Sequence, residues 1–211
     1  MRGQPAAVEV LALHAVTWWC LRTLGSQLPV LHYWAPDSAG WWLIRLARAS
    51  LVVGILLAWA ALRGVKVGLI GLGGHGFWRN GCIALLTTAA LWLAVAVLRG
   101  KGVLGPHPLA FPRRELALRT TFVDVLAQQV STFGLLQGLL GPSAQVAIFT
   151  WASFTGAHLI GASTGVVWAA GAVGVIFAVL RQRTGSLGAG LGVHLGYYSR
   201  LILLAWGMGG G

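Results

Sequence analysis

The chain has 211 residues, 57% of them hydrophobic and 9% charged, with a mean hydropathy of +0.78. A soluble globular domain carries about 25% charged residues, so this composition excludes a chain that water alone would hold as a folded monomer. Lys+Arg number 15 against 4 Asp+Glu, a formal charge of +11. The basic residues stand mostly at the ends of apolar runs, where they meet lipid headgroups and set topology, so the charge does not argue for nucleic acid as a partner.

A membrane-spanning helix needs about 20 mostly apolar residues. Apolar runs are expected at 8–24, 42–63, 81–99, 117–140, 144–161, 163–181 and 186–206. The expected fold is all-α: a polytopic transmembrane helix bundle of about seven spans, forming a single membrane domain over 1–211. Within it, 1–110 reads as accessory N-terminal helices and 117–206 as a four-helix C-terminal core. The first run follows Met1-Arg2 in the manner of a signal peptide, but Glu9 and His14 interrupt it and no small-x-small cleavage site follows, so it reads as a span. Pro29 to Gly40 reads as an interfacial loop, and Trp18, Trp19, Trp34, Trp41 and Trp42 suit the aromatic belt at a membrane surface. Gly68 to Gly76 is too short to span and reads as a re-entrant or surface segment. Arg99 to Arg119, with Pro106, Pro108 and Pro112, is the longest polar stretch and divides the two halves. Counting basic residues on alternate sides favours a cytoplasmic C-terminus and an outside N-terminus.

In the C-terminal half, Gly134 and Gly138, Gly161 and Gly165, and Gly188, Gly192 and Gly196 are four apart. That spacing lets helix backbones approach closely in lipid and predicts a compact bundle there. Cys20 and Cys82 lie in apolar runs and read as packed thiols rather than a disulfide.

Polar side chains at membrane depth are costly and usually face a bundle interior or a cavity. Those at issue are Asp124, Gln128 and Gln129 in one run, His158 in the next, and His194 with Tyr198 in the last. At ~1.5 Å of rise per residue, Gln128 lies ~16 Å, His158 ~5 Å and His194 ~18 Å from the same membrane face, so one cavity could gather them. Asp124 and Gln128 are i and i+4 and share a helix face. His14 alone reads as a hydrogen-bonded packing residue, and Arg45 and Arg48 read as snorkelling to a surface. A metal could draw on His158, His194 and Asp124, but no compact pair of histidines four apart supports it.

The order Gln128-Gln129 with Phe133-Gly134, then Phe154-Thr155-Gly156-Ala157-His158, then Arg183-Thr184-Gly185-Ser186-Leu187 leading to His194, resembles the CPBP family. These are intramembrane endopeptidases of the CAAX prenyl protease and bacteriocin-processing type. The resemblance covers about 117–206 and implies a hydrolase that cuts membrane-anchored or C-terminally processed proteins without a cofactor, in a bacterial inner (cytoplasmic) membrane. It places Gln128, Gln129, His158 and His194 in the catalytic site and Asp124, Phe154 and Tyr198 around it. The family pattern has paired glutamates where this chain has Gln128 and Gln129, an arginine at Phe133 and an asparagine at Tyr198. The family's first glutamate activates the attacking water; an amide can position a water but cannot take its proton at neutral pH. Two neutral isosteres side by side fit an inactivating change of an active enzyme. The further departures at Phe133 and Tyr198 fit a lineage that binds membrane peptides or partners without cutting them. A base drawn instead from Asp124 or His158 is the remaining route to activity.

Overall fold

The computed structural model describes residues 5–21, 39–73, 75–100, 122–159 and 164–205. The expected loop at Pro29 to Gly40 and the polar stretch Arg99 to Arg119 lie almost wholly outside these residues, and so does the side chain of Tyr198. All regular structure among the described residues is helical: α1 Ala7–Trp19, α2 Ala39–Leu62, α3 Val67–Ile70, α4 His75–Gly100, α5 over 122–140, α6 Ala144–Ala157, α7 Thr164–Thr184 and α8 Leu187–Ala205. Among the described residues, two stretches are long and apolar enough to cross a membrane, Leu43–Leu62 with hydropathy 1.8 and Gly76–Val95 with hydropathy 1.2. Ala7–Trp19 is a shorter apolar helix.

Local chemistry sets the boundaries. Ser143 opens α6, its hydroxyl accepting from the Val146 N–H at 3.2 Å, the usual service of an N-cap serine. The connector between α7 and α8 is a stop followed by a start. Gly185 takes φ 64 and its N–H closes on the Arg181 carbonyl at 2.9 Å, a left-handed helix ending that suits glycine. The Ser186 hydroxyl then accepts from Gly188 N–H at 3.0 Å, and the Leu187 N–H donates to the Gly71 carbonyl at 3.0 Å. The five connector residues thus fold into a cap that also grips the segment after α3.

Helix α5 is the centre of the bundle. Its stretch Gln129–Leu136 is π-helical and every one of its residues is buried. A π-turn carries one more residue than an α-turn and occurs often where function constrains a helix. Here it lets consecutive residues serve different neighbours. Ser131 and Thr132 face α1, the Phe133 carbonyl faces α7, and Gln129 faces α8. Arg181, itself buried, donates to the Phe133 carbonyl at 2.9 Å and also to the carbonyls of Gly185 and Leu69. One guanidinium thereby ties α3, α5 and the end of α7.

The glycine spacing works differently from expectation. Gly188, Gly192 and Gly196 seat α4, not a C-terminal helix: a methyl group at these positions would run into Phe77, Gly81 with Ala84, and Thr88 respectively. Gly134 and Gly138 receive Ile70 and Leu69 of α3. The N-terminal elements are therefore built into the C-terminal bundle. The Gly68 to Gly76 segment, expected at a surface or re-entrant, puts Ile70 into the core at 2% exposure.

The outer surface is strongly apolar, and several polar side chains are buried within the apolar core. Val8, Leu62, Trp78, Leu86, Leu159 and Trp168 are among many large apolar side chains on the outer surface, whereas His14, Gln129, Thr132, Gln137, His158, Arg181 and His194 are buried. Trp18, expected in the surface belt, is buried and donates from Nε1 to the Thr132 hydroxyl at 3.1 Å. Its neighbour Trp19 is exposed. The cysteines are free, and Cys82 is exposed rather than packed.

Candidate functional site

The most polar region of the interior lies where α5, α6 and α8 meet. Gln129 is fully buried, and its amide Nε2 stands 3.2 Å from Nδ1 of His194. An amide nitrogen can only donate, so His194 accepts through Nδ1 and its neutral ring carries the proton on Nε2. The Gln129 Oε1 is buried and has no hydrogen-bond partner among the described residues. It lies against Gly190, where any side chain would collide with it.

His158 closes α6 as its C-cap residue. Its Nδ1 donates to the Phe154 carbonyl at 2.7 Å, a contact that fixes the tautomer and makes Nε2 the lone-pair nitrogen of the neutral ring. The two imidazoles are thus set in opposite senses, Nε2 being an acceptor on His158 and a donor on His194. Phe154 lies between them, its ring centroid 4.7 Å from that of His158 and 6.4 Å from that of His194. Phe177 stacks on His194 at 4.9 Å, and Phe133 packs on Phe154 and Phe177 at 5.4 and 5.5 Å. Phe133, at the expected arginine position, is 0% exposed. It therefore contributes an apolar wall, while its backbone carbonyl takes an arginine from elsewhere, Arg181.

The expected site residues separate into two groups. Gln129, Phe154, His158 and His194 come together. Gln128, a residue earlier on α5, is partly exposed and lies on a different side of the helix from its neighbour. Asp124 is drawn away: its Oδ2 pairs with Arg45 at 3.6 Å. Arg45 therefore has a carboxylate partner inside the fold, where the sequence suggested a snorkelling side chain. The set His158, His194 and Asp124 does not assemble, and no group of three or more His, Cys, Asp or Glu among the described residues is placed to hold a metal ion.

Beside this site lies a second polar layer, in which His14 is the hydrogen-bonded packing residue the sequence suggested, while its partners Ser131 and Ser153 and the role of Trp18 were not foreseen. His14 bridges three helices, its Nδ1 3.0 Å from the Ser131 hydroxyl and its Nε2 2.6 Å from the Ser153 hydroxyl. Trp18 links the layers, with centroids 6.4 Å from His14 and 5.4 Å from His158. A signal for the role of Trp18 was its i, i+4 placement with His14 on one face of α1. Arg181 was equally illegible, since an arginine near the end of an apolar run normally marks a membrane surface.

No family model, curated protein or solved structure matches this chain.

Proposed function

We propose that this chain is an integral membrane protein of about seven spans and an intramembrane endopeptidase of the CPBP type, disabled or impaired as written by its two glutamines. Its substrates are membrane-anchored or C-terminally processed polypeptides, and its setting is a bacterial inner membrane. The exposed large apolar side chains, together with polar groups held in the interior, support lipid as the solvent, because an intramembrane polar group favours the bundle interior. The observation that carries the site assignment is the convergence of Gln129, Phe154, His158 and His194 from three helices, the same motif pieces on which the family resemblance rests.

The geometry also defines what the amides remove. Among the described residues, the carboxylate of α5, Asp124, is engaged with Arg45. Peptide hydrolysis then lacks the carboxylate that would take a proton from water, while His194 can still donate from Nε2 toward a developing oxyanion. A second reading, a non-catalytic descendant that binds a membrane peptide, is favoured by one observation. Gln129 Oε1 is a buried acceptor without a donor among the described residues, a costly state that a peptide N–H would relieve.

Restoring the acids separates the two. The doubly substituted chain, Gln128→Glu with Gln129→Glu, is reconstituted in vesicles with a panel of membrane-anchored peptides and scored for cleavage. The peptidase reading expects turnover to rise by about 10²–10⁴-fold, the usual worth of a positioned general base, and to vanish again with His158→Ala. A restored protein that binds these peptides but leaves all of them whole selects the binder.

A further inference from the structure

Helix α2 carries its packed face on Ala49, Val52, Val53, Leu56 and Ala60, all buried. This is a stripe at helical spacing. Arg45 lies one turn before Ala49, and Arg48 one turn before Val52, so both belong to the inward face and not to the lipid-facing one. Arg45 reaches Asp124 Oδ2 of α5 at 3.6 Å, with side-chain exposures of 31% and 17%. The titratable groups that face Arg48 are Asp124, Arg45 and Cys20. Its Nε is enclosed in the fold and meets no hydrogen-bond acceptor among the described residues.

The charge count at this corner does not balance. Among the described residues, two guanidinium groups share one carboxylate, leaving one positive charge in partly enclosed, apolar surroundings. The chain has little with which to answer it. Of its acids, Glu9 is taken by Arg63 and Asp124 by Arg45, while Asp37 and Glu115 lie outside the described residues. A charge in such a place needs a partner with matching geometry, and a guanidinium fork matches the oxygens of a phosphate.

We propose that this end of the bundle, between α2 and α5, binds the phosphate group of an anionic lipid headgroup, with Arg48 as its main donor and the Arg45–Asp124 pair at its side. The depth agrees. Arg48 lies five residues into Leu43–Leu62, about 7–8 Å at ~1.5 Å per residue, within reach of the headgroup layer for a long side chain. The inference rests on the membrane-spanning reading and is independent of any peptidase activity.

The full chain is reconstituted in phosphatidylcholine vesicles containing graded phosphatidylglycerol, then released into mild detergent for native mass spectrometry of retained lipid. Phosphatidylglycerol is expected to be retained over phosphatidylcholine. Arg48→Leu should lower that retention about tenfold, the worth of a charge-assisted hydrogen bond, and Arg48→Lys should restore part of it. Asp124→Asn carries the opposite sign: by removing the competing carboxylate it should tighten phosphatidylglycerol severalfold, an effect that a merely structural role would not produce. Equal retention of both lipids, or no difference between Arg48→Leu and the parent chain, overturns the proposal. So does protection of the parent chain by inorganic phosphate in neutral vesicles with none from phosphatidylglycerol, since the ligand is then a free phosphate. Retention that appears only after Asp37→Asn with Glu115→Gln also overturns it, because one of those acids then fills the site. A chain that alkaline carbonate strips from every vesicle refutes the membrane reading itself, a result distinct from all of these.

Discussion

At the scale of single residues, the site depends on a glycine as much as on its polar groups. Gly190 leaves room for the Gln129 amide, and a methyl group there would come within 2.8 Å of Oε1. Gln129 is 0% exposed, so its amide would have to shift within the packed interior. Gly190→Ala should therefore displace the amide from His194 and lower stability by about 1–3 kcal/mol, the usual result of adding a methylene to a filled core. Thermal unfolding in detergent measures it. The His14 bridge gives a second case. His14→Ala leaves the Ser131 hydroxyl, which is 1% exposed, without its partner, and breaks two interhelical hydrogen bonds worth about 0.6 kcal/mol each on average in membrane proteins. A loss of about 1–3 kcal/mol is expected once the stranded hydroxyl is included. Ser153→Ala removes a single bond from a less buried site and should cost clearly less.

At the scale of elements, the packing of α4 on α8 is the contact most open to test. The face of α8 at Gly188, Gly192 and Gly196 meets backbone and small side chains of α4 directly. Without a side chain at those positions the two backbones can approach, the close packing by which small residues join helices in membrane proteins. Gly192→Ala would push against the Gly81 carbonyl and should separate the helices, lowering stability by about 1–3 kcal/mol. A glycine facing open space should respond in the other direction. Gly54 of α2 has nothing within 4 Å of an added methyl group, so Gly54→Ala should stabilise by about 0.5–1 kcal/mol through helix propensity alone. Measured side by side, the two substitutions distinguish contact from propensity; equal effects would contradict the packing described.

At the scale of the whole molecule, the decisive property is the exposed apolar surface. Val8 at 73%, Leu62 at 70%, Trp78 at 72% and Trp168 at 76% exposure are a sample from several different helices. Apolar surface on this scale is not carried by soluble monomers. The chain is accordingly expected in the membrane fraction, resistant to alkaline carbonate, and aggregated when expressed without detergent or lipid. Recovery as a monodisperse detergent-free protein would refute the membrane reading. The two helices that meet the length and composition test for crossing, Leu43–Leu62 and Gly76–Val95, are where added reporter tags should first locate opposite membrane faces.

The sequence by itself determined that the chain is helical and where most helices run. The apolar runs at 42–63, 144–161, 163–181 and 186–206 correspond to α2, α6, α7 and α8 within a few residues, because serine caps, glycine stops and run length are local properties. It also singled out Gln129, Phe154, His158 and His194, which do meet. It could not tell which way each side chain faces. When apolar residues cover every side of a helix, hydrophobic periodicity carries no phase, so Trp18, Arg45 and Arg181 all read as surface residues and all turned out to have partners inside. Only tertiary structure decided that the glycine row of α8 holds α4, that a π-turn puts Gln129 rather than Gln128 on His194, and that Asp124 goes to Arg45. Each of these depends on which helices are neighbours, and a neighbour distant in sequence leaves no mark on the local pattern.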